Sequence, residues 1–181
     1  MPAFVALLRG VNVLGKNRIP MAELKKGFES LGFEDVETYL QSGNVVFRAD
    51  RADPLSLASR IEGRMAKDFG LEVRALVLPC RDIDRMARSN PLFPGPGSDE
   101  TLFHATFLFR RVAEAEFGKI PLPAGTGERA VWGGPVIYLY CPNGYGRTKL
   151  NNAFFEKALE IPATTRNWRT VLALKALCAE S

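Results

Sequence analysis

Three cationic side chains and two asparagines fall within ten residues near the N-terminus. The segment 9–18, RGVNVLGKNR, contains Arg9, Lys16 and Arg18 and no acidic residue. Cationic side chains make charge-assisted hydrogen bonds to phosphate and carboxylate groups, and asparagine amides add further donors. The segment therefore predicts an anion-binding loop. An alternative stays open, in which the asparagines cap turns and the cations are simply solvated.

A second concentration of positive charge lies between residues 144 and 170. Its charged residues are five cations and two acids, namely Arg147, Lys149, Lys157, Arg166, Arg169, Glu156 and Glu160. The two segments together carry +6, against a net charge of +4 for the whole chain. The rest of the chain is therefore slightly acidic, and the positive excess belongs to these two segments.

The segment 142–152, PNGYGRTKLNN, connects a predicted strand to a predicted helix. The free backbone N–H groups and the dipole at a helix N-terminus favour an anion, and Arg147 and Lys149 add charge. The pattern is not that of a nucleotide-binding P-loop, in which Gly-Lys is followed by Ser or Thr. A plain helix cap by Asn151 or Asn152 is the alternative.

The segment 163–170, ATTRNWRT, is predicted to lead into the last helix. Arg166 and Asn167 are candidate ligand contacts. The alternatives are that Thr165 or Asn167 caps the helix, and that Trp168 is either a core residue or a stacking platform for a base.

The tripeptide Ser42-Gly43-Asn44 separates two predicted strands and is typical of a tight turn. Asn44 is a candidate ligand contact if it lies near Asn12. Ser42 has no neighbouring base in sequence, so a nucleophilic role is unattractive.

Several kinds of site find no support in the residues. The segment 9–18 does not match the dinucleotide-binding glycine motif, no acidic cluster suggests a Mg²⁺ site, and His104 is the single histidine of the chain. Cys80, Cys141 and Cys178 lack metal-ligand spacing, so we expect free thiols in a reducing cytosol. We expect no metal and no cofactor. No signal peptide and no membrane-spanning run is apparent, which predicts a cytoplasmic protein.

The periodicity of apolar residues in the first half predicts alternating elements. Strands are expected at 4–8, 36–41, 45–48 and 72–78, and helices at 20–31 and 54–69. This β-α-β-β-α-β order is typical of a ferredoxin-like unit.

The second half repeats the same order less completely. A helix at 82–89 and a Pro/Gly-rich linker at 91–99 precede strands at 103–109, 129–132 and 136–141. Helices are expected at 112–118, 152–160 and 168–178. We therefore predict an α+β protein of two ferredoxin-like subdomains, 1–90 and 100–181, related by a weak internal duplication.

Four segments carry a resemblance to a known family. Segments 7–17, 39–47, 146–151 and 164–168 resemble the hallmarks of DUF1697, a bacterial family of unknown function. The resemblance spans nearly the whole chain and implies a cytoplasmic α+β protein with two ferredoxin-like subdomains. It implies no activity. Leu14 stands where family members often have Gly.

Three hypotheses follow for function. The first is binding of a phosphate-bearing ligand, nucleotide-like or single-stranded nucleic acid, at basic loops between the subdomains. The second is an enzyme acting on an anionic small molecule, with Lys16 or Lys149 as electrophile or base in a deep pocket. The third is a protein-interaction module without a small-molecule site. The residues predicted to line the binding site are Arg9, Asn12, Lys16, Asn17, Asn44, Arg147, Lys149, Arg166 and Asn167.

Overall fold

Two four-stranded antiparallel sheets form the frame of the protein. The structure is a computed structural model that describes residues 1–50 and 53–181. The first half contains β1 (Ala3–Arg9), α1 (Met21–Glu29), β2 (Glu34–Tyr39), β3 (Asn44–Arg48), α2 (Pro54–Phe69), β4 (Arg74–Pro79) and α3 (Cys80–Arg88). The second half contains β5 (Phe103–Leu108), α4 (Glu114–Phe117), β6 (Arg129–Trp132), β7 (Val136–Tyr140), α5 (Asn152–Leu159), β8 (Ala163–Asn167) and α6 (Trp168–Glu180).

The first sheet has the strand order β2-β3-β1-β4. Central strand β1 pairs with β3 on one side and β4 on the other, and Leu7 lies opposite both Asn44 and Leu76. Alternate β1 residues, including Phe4 and Leu8, enter a core shared with the apolar faces of α1 and α2. Burial of these apolar faces is what holds the two helices on the sheet.

Local signals in the sequence fix the ends of α2. The Asp53 carboxylate accepts a hydrogen bond from the Ser56 N–H at 3.0 Å, and Pro54 occupies the first turn. Gly70 ends the helix in the left-handed conformation with φ 63°. The predicted helix over 54–69 is confirmed.

The second sheet has the equivalent order β6-β7-β5-β8. Its last strand was not predicted from the sequence, in which the segment 163–170 was expected only to lead into the last helix. Thr164 and Arg166 of β8 lie opposite Phe107 and Ala105 of β5. This antiparallel pairing gives the backbone of β8 its hydrogen-bond partners. The strand has no alternating hydrophobic pattern, so its sequence carries no period-two signal.

Contacts divide the chain into two compact units. The first contains residues 1–84 and 173–181, and the second contains residues 85–172. The segment 91–99, predicted as a linker, lies within the second unit. In the described part of the chain, no helix combines the length and apolar character needed to cross a membrane.

The cysteines differ from the expectation of three free thiols. Cys80 and Cys178 form a disulfide that joins the start of α3 to the last turn of α6, with the Cα atoms 5.5 Å apart. Cys141 is a buried free thiol, as expected. Disulfides are rare in the cytosol, so the cytoplasmic location stays a prediction.

A histidine lies in the interior of the second unit. His104 on β5 is 6% exposed, and its ring stacks on Tyr145 with the centroids 4.8 Å apart. Among the described residues, its Nδ1 atom has no hydrogen-bond partner. Burial lowers the pKa of His104 to about 4, because the charged imidazolium loses its hydration.

We expect Cys178→Ser to lower the free energy of unfolding by about 4 kcal/mol, because the bond closes a loop of nearly a hundred residues. Chemical denaturation under non-reducing conditions measures the loss. A reductant should destabilise the wild type and leave the variant unchanged. Alkylation of both Cys80 and Cys178 in the unreduced protein would contradict the disulfide.

Stability should fall as the pH drops from about 6.5 to about 4, because the unfolded chain takes up a proton on His104 that the folded chain resists. The loss attributable to this residue is roughly 3 kcal/mol. Urea unfolding across this range should show a smaller pH dependence for His104→Phe, whose ring can still stack on Tyr145. An NMR titration of the single histidine that gives an ordinary pKa would refute the prediction.

Candidate functional site

The segment 9–18 forms a compact hairpin between β1 and α1. Val13 and Lys16 form a β-bridge, and the Lys16 N–H donates to the Val13 carbonyl at 2.9 Å. The two residues at the tip, Leu14 and Gly15, have φ of 49° and 76°. Positive φ at both central positions is the geometry of a tight two-residue hairpin turn.

The Asn12 side chain joins this hairpin to two other segments. Its Oδ1 accepts a hydrogen bond from the Ile19 N–H at 2.8 Å, and its Nδ2 donates to the Ile19 carbonyl at 3.1 Å. The same Nδ2 donates to the carbonyl of Gln41 at 2.7 Å. The loop after β1 and the turn between β2 and β3 therefore meet, with the Asn12 amide as the connection.

The turn between β2 and β3 is held by Asn44. This side chain is fully buried, and its Nδ2 donates to the Tyr39 carbonyl at 2.9 Å and to Ser42 Oγ at 2.8 Å. Asn44 thus shapes the turn and presents no surface to a ligand. The turn that contains Asn44 lies close to the hairpin that contains Asn12, because the Asn12 side chain hydrogen-bonds to Gln41 of the same turn.

Gly43 is required where the turn crosses β1. Its φ is 77°, and a Cβ atom there would lie 2.8 Å from the Cβ of Leu8. Its carbonyl accepts the Leu8 N–H at 2.8 Å. Only glycine allows this approach of the two backbones without displacing the core residue Leu8.

The cations of the hairpin differ in exposure. Lys16 and Arg18 are exposed, whereas Arg9 is half-buried at the end of β1. A Cβ atom at Gly15 would lie 3.5 Å from Nη2 of Arg18, so the guanidinium lies beside the hairpin tip. Asn17 is braced by a 2.9 Å bond from its Nδ2 to the Gly10 carbonyl.

An open groove lies between the hairpin and the β2–β3 turn. It has a volume of about 420 Å³, and its lining consists of Asn12, Gly15, Arg18, Ile19, Pro20 and Gln41. Arg18 and Gln41 were not among the predicted site residues. The charge of Arg18 was visible in the sequence, but nothing in the sequence placed Gln41 beside it.

In the second unit, the segment 142–152 is a separate basic loop. Residues Tyr145–Arg147 form a short 3-10 turn, and Arg147 and Lys149 are exposed. Asn151 Oδ1 accepts the Phe154 N–H at 3.0 Å and caps α5. The helix-cap alternative for this segment is confirmed.

Arg166 lies within the second sheet and is only 8% exposed. Its Nη1 donates to Thr164 Oγ1 at 2.7 Å and to the Thr165 carbonyl at 3.1 Å, and burial lowers its pKa to about 10. Asn167 Oδ1 accepts the Thr170 N–H at 2.9 Å and so caps α6, as the alternative predicted. Trp168 is fully buried, which makes it a core residue.

The predicted site residues therefore fall into two groups, one in each unit. Arg9, Asn12, Lys16, Asn17 and Asn44 belong to the hairpin and turn of the first unit. In the second unit, β8 lies beside the end of the basic loop, since Thr165 Oγ1 donates to Asn152 Oδ1 at 2.6 Å. The Arg166 side chain lies on the face of the sheet opposite to that of Thr165, because the side chains of adjacent strand residues point to alternate faces.

No metal centre is apparent in the parts of the chain that the structure describes, where no three histidine, cysteine or acidic side chains gather as ligands. The lining of the groove offers amide and guanidinium donors, which suit an anionic or polar organic ligand.

Comparisons with known proteins support the family resemblance. The family model "Protein of unknown function (DUF1697)" matches residues 1–138. No curated protein matches the chain. Among solved structures, the chain is similar to the conserved bacterial protein SP0830 from Streptococcus pneumoniae, with 22% identity over 98% of each chain and a TM-score of 0.71. At this identity the similarity concerns the fold alone. Because the family model covers most of the sequence, the chain belongs to DUF1697, a family of unknown function.

Proposed function

We propose that the groove between the hairpin and the β2–β3 turn binds a phosphate-bearing ligand. The observation that carries this proposal is an open groove of about 420 Å³ lined by Arg18 and next to the exposed Lys16. No acidic residue occurs between Arg9 and Glu23, so no carboxylate of this segment offsets the positive potential. The volume lies in the range of typical small-ligand sites.

The residues of the hairpin take two roles in this proposal. The planar guanidinium of Arg18 can donate two parallel hydrogen bonds to a phosphate, and Lys16 adds a mobile charge. Arg9 contributes positive potential from the base of the loop. Asn12, Asn17 and Asn44 hold the loop in shape, because their amides already bond to the backbone.

Binding is favoured over catalysis by the chemistry of the groove. Among the described residues that line it, none is a carboxylate, histidine, cysteine or lysine that could act as an acid, base or nucleophile. The enzyme hypothesis also called for a deep pocket, whereas this groove is open to solvent. Arg147, Lys149, Arg166 and Asn167 stay predicted contacts within the second unit alone, where Arg147 and Lys149 are exposed, Arg166 is buried and Asn167 caps α6.

We further infer that both units are of the ferredoxin-like type. The support is the β-α-β-β-α-β order of each half, together with the equivalent strand orders β2-β3-β1-β4 and β6-β7-β5-β8. All paired neighbours are antiparallel in both sheets. In this arrangement loops that follow the first strand are free to carry a ligand site while the sheet stays unchanged.

The anion site is tested with inorganic tripolyphosphate by isothermal titration calorimetry. We expect binding that weakens steeply between about 50 and 200 mM NaCl, because the cations around the polyphosphate and the anions around the basic site are released on binding. The double variant Lys16→Ala/Arg18→Ala should bind at least about tenfold more weakly, since each charge-assisted bond contributes roughly 1.5–3 kcal/mol.

The matched control is Lys67→Ala/Lys119→Ala, which removes the same charge from exposed positions outside the two basic loops. This control should bind nearly as well as the wild type. Equal weakening of both double variants would assign the effect to net charge and refute a localised site.

A further inference from the structure

A cavity within the second unit has two arginines in its lining. Its volume is about 330 Å³, and its lining comes from the end of α3, the loop after β5, the β6–β7 turn (residues 133–135) and β7. Met86 and Tyr138 of this lining are buried, whereas Arg85 and Arg111 are exposed. None of the described residues that line the cavity is acidic. The cavity therefore combines a largely apolar interior with a cationic mouth, and its size suits a small ligand.

The guanidinium of Arg111 is held against the β6–β7 turn. A Cβ atom at Gly134, where φ is 82°, would lie 3.0 Å from Cζ of Arg111 and 3.1 and 3.2 Å from its two Nη atoms. The Leu108 N–H donates to the Pro135 carbonyl at 2.9 Å, and the Val112 N–H donates to the Gly134 carbonyl at 3.1 Å. The loop that carries Arg111 is thus fixed to the turn on both sides, and glycine leaves the space that the guanidinium occupies.

Arg111 differs from its neighbour in its charged partners. Arg110 forms an ion pair with Glu116 at 2.6 Å. In the described part of the chain, no carboxylate lies within ion-pair distance of the Arg111 guanidinium. A planar guanidinium that is held in place at a cavity can donate two parallel hydrogen bonds to an incoming anion.

The buried side of the cavity is formed around Tyr138. Its hydroxyl donates to the Met86 carbonyl at 2.8 Å, and a Cβ atom at Gly133 would lie 2.7 Å from Cε2 of its ring. Burial raises the pKa of Tyr138 to about 12, and the positive charge of Arg85 works against this rise. The charge of Arg85 therefore acts on the hydroxyl inside the cavity, as that of Arg111 lies on the adjacent turn.

We propose that this cavity binds a small phosphate monoester, with the phosphate at the two arginines and the organic group on the ring of Tyr138. The two guanidinium groups carry two positive charges, which match the charge of about −2 on a phosphate monoester at neutral pH. The exposed hydroxyl of Ser89 adds a neutral donor. This inference does not rest on the proposed function, because it concerns residues of the second unit alone.

A role at the end of α3 is the alternative explanation for Arg85. A cation in the last turn of a helix offsets the helix dipole, and Arg85 lies in that turn. This role does not account for Arg111, which follows β5. The carbonyls of Arg85 and Met86 also accept the Ser89 N–H, at 3.1 and 3.3 Å, so both already have a hydrogen-bond donor. A shared anion site accounts for both arginines.

The test titrates phenyl phosphate, inorganic phosphate and benzoate in turn by calorimetry. We expect phenyl phosphate to bind at least about fivefold more tightly than inorganic phosphate, since its ring adds apolar contact. Benzoate has the same ring with a single charge and should bind more weakly than phenyl phosphate. Equal affinity for benzoate and phenyl phosphate would overturn the assignment to a phosphate monoester.

The position of the bound ligand is read from the backbone amides of the β6–β7 turn. In ¹H–¹⁵N NMR spectra, the N–H signals of Gly133 and Gly134 should shift as phenyl phosphate is added. Both signals staying unchanged at a saturating concentration would overturn the proposal.

The double variant Arg85→Gln/Arg111→Gln should bind phenyl phosphate at least about tenfold more weakly, since both charge-assisted contacts are lost. Its two positions are exposed, so we expect it to fold as the wild type does. The matched control Lys119→Gln/Arg129→Gln removes the same charge from exposed positions of the second unit outside the cavity lining. It should bind as the wild type does, and equal weakening of the two double variants would refute a localised site.

Three further outcomes separate this inference from the alternatives. A stability loss in Arg85→Gln, with no binding of phenyl phosphate to the wild type, assigns this arginine to the helix end and overturns the inference. Loss of phenyl phosphate binding in Lys16→Ala/Arg18→Ala, with unshifted glycine signals in the wild type, supports the groove of the first unit and overturns this site. Phenyl phosphate binding at the cavity without tripolyphosphate binding at the groove supports this inference and overturns the proposed function.

Discussion

The hydrogen bonds of the Asn12 side chain are the interaction on which the candidate site depends. The hairpin after β1 has only Val11 and Ile19 as buried apolar anchors, and its remaining residues lie at the surface. One amide bonds to both backbone groups of Ile19 and to the carbonyl of Gln41. It therefore fixes the hairpin against the neighbouring turn. The two walls of the groove would otherwise be two independent loops.

The β2–β3 turn, which forms the other side of the groove, is held in place by the central strand of the first sheet. Leu8 of β1 packs against Gly43 and donates its N–H to the Gly43 carbonyl, so the turn lies directly on a core strand. The buried amide of Asn44 then donates hydrogen bonds to the Tyr39 carbonyl and to Ser42 Oγ on the inner side of the turn. Sites supported by a rigid sheet hold their geometry better than sites built from loops alone. The positive φ of Leu40 is tolerable because this surrounding structure determines it.

The two units use the same frame for different arrangements of polar residues. In the first unit, amides brace a surface groove. In the second, Arg166 and His104 lie inside the sheet, and Thr106 and Thr165 share a hydrogen bond of 2.8 Å between their hydroxyl oxygens. Burying a polar group costs free energy unless it is hydrogen-bonded. Arg166 and the two threonines have hydrogen-bond partners, whereas Nδ1 of His104 has none among the described residues. Equivalent strand order therefore does not imply equivalent function.

The sequence by itself determined the elements whose signals are local, together with the family and the position of the basic segments. Helix α2 was predictable because its cap, its period and its terminal glycine are all contiguous. The tertiary structure alone decided what depends on distant partners. Strand Ala163–Asn167 exists because β5 pairs with it, and Asn44 is buried because the turn closes over β1. Cys80 meets Cys178 across 98 residues of sequence. Gln41 faces Asn12 for the same reason, since the fold, and no local signal, brings their segments together.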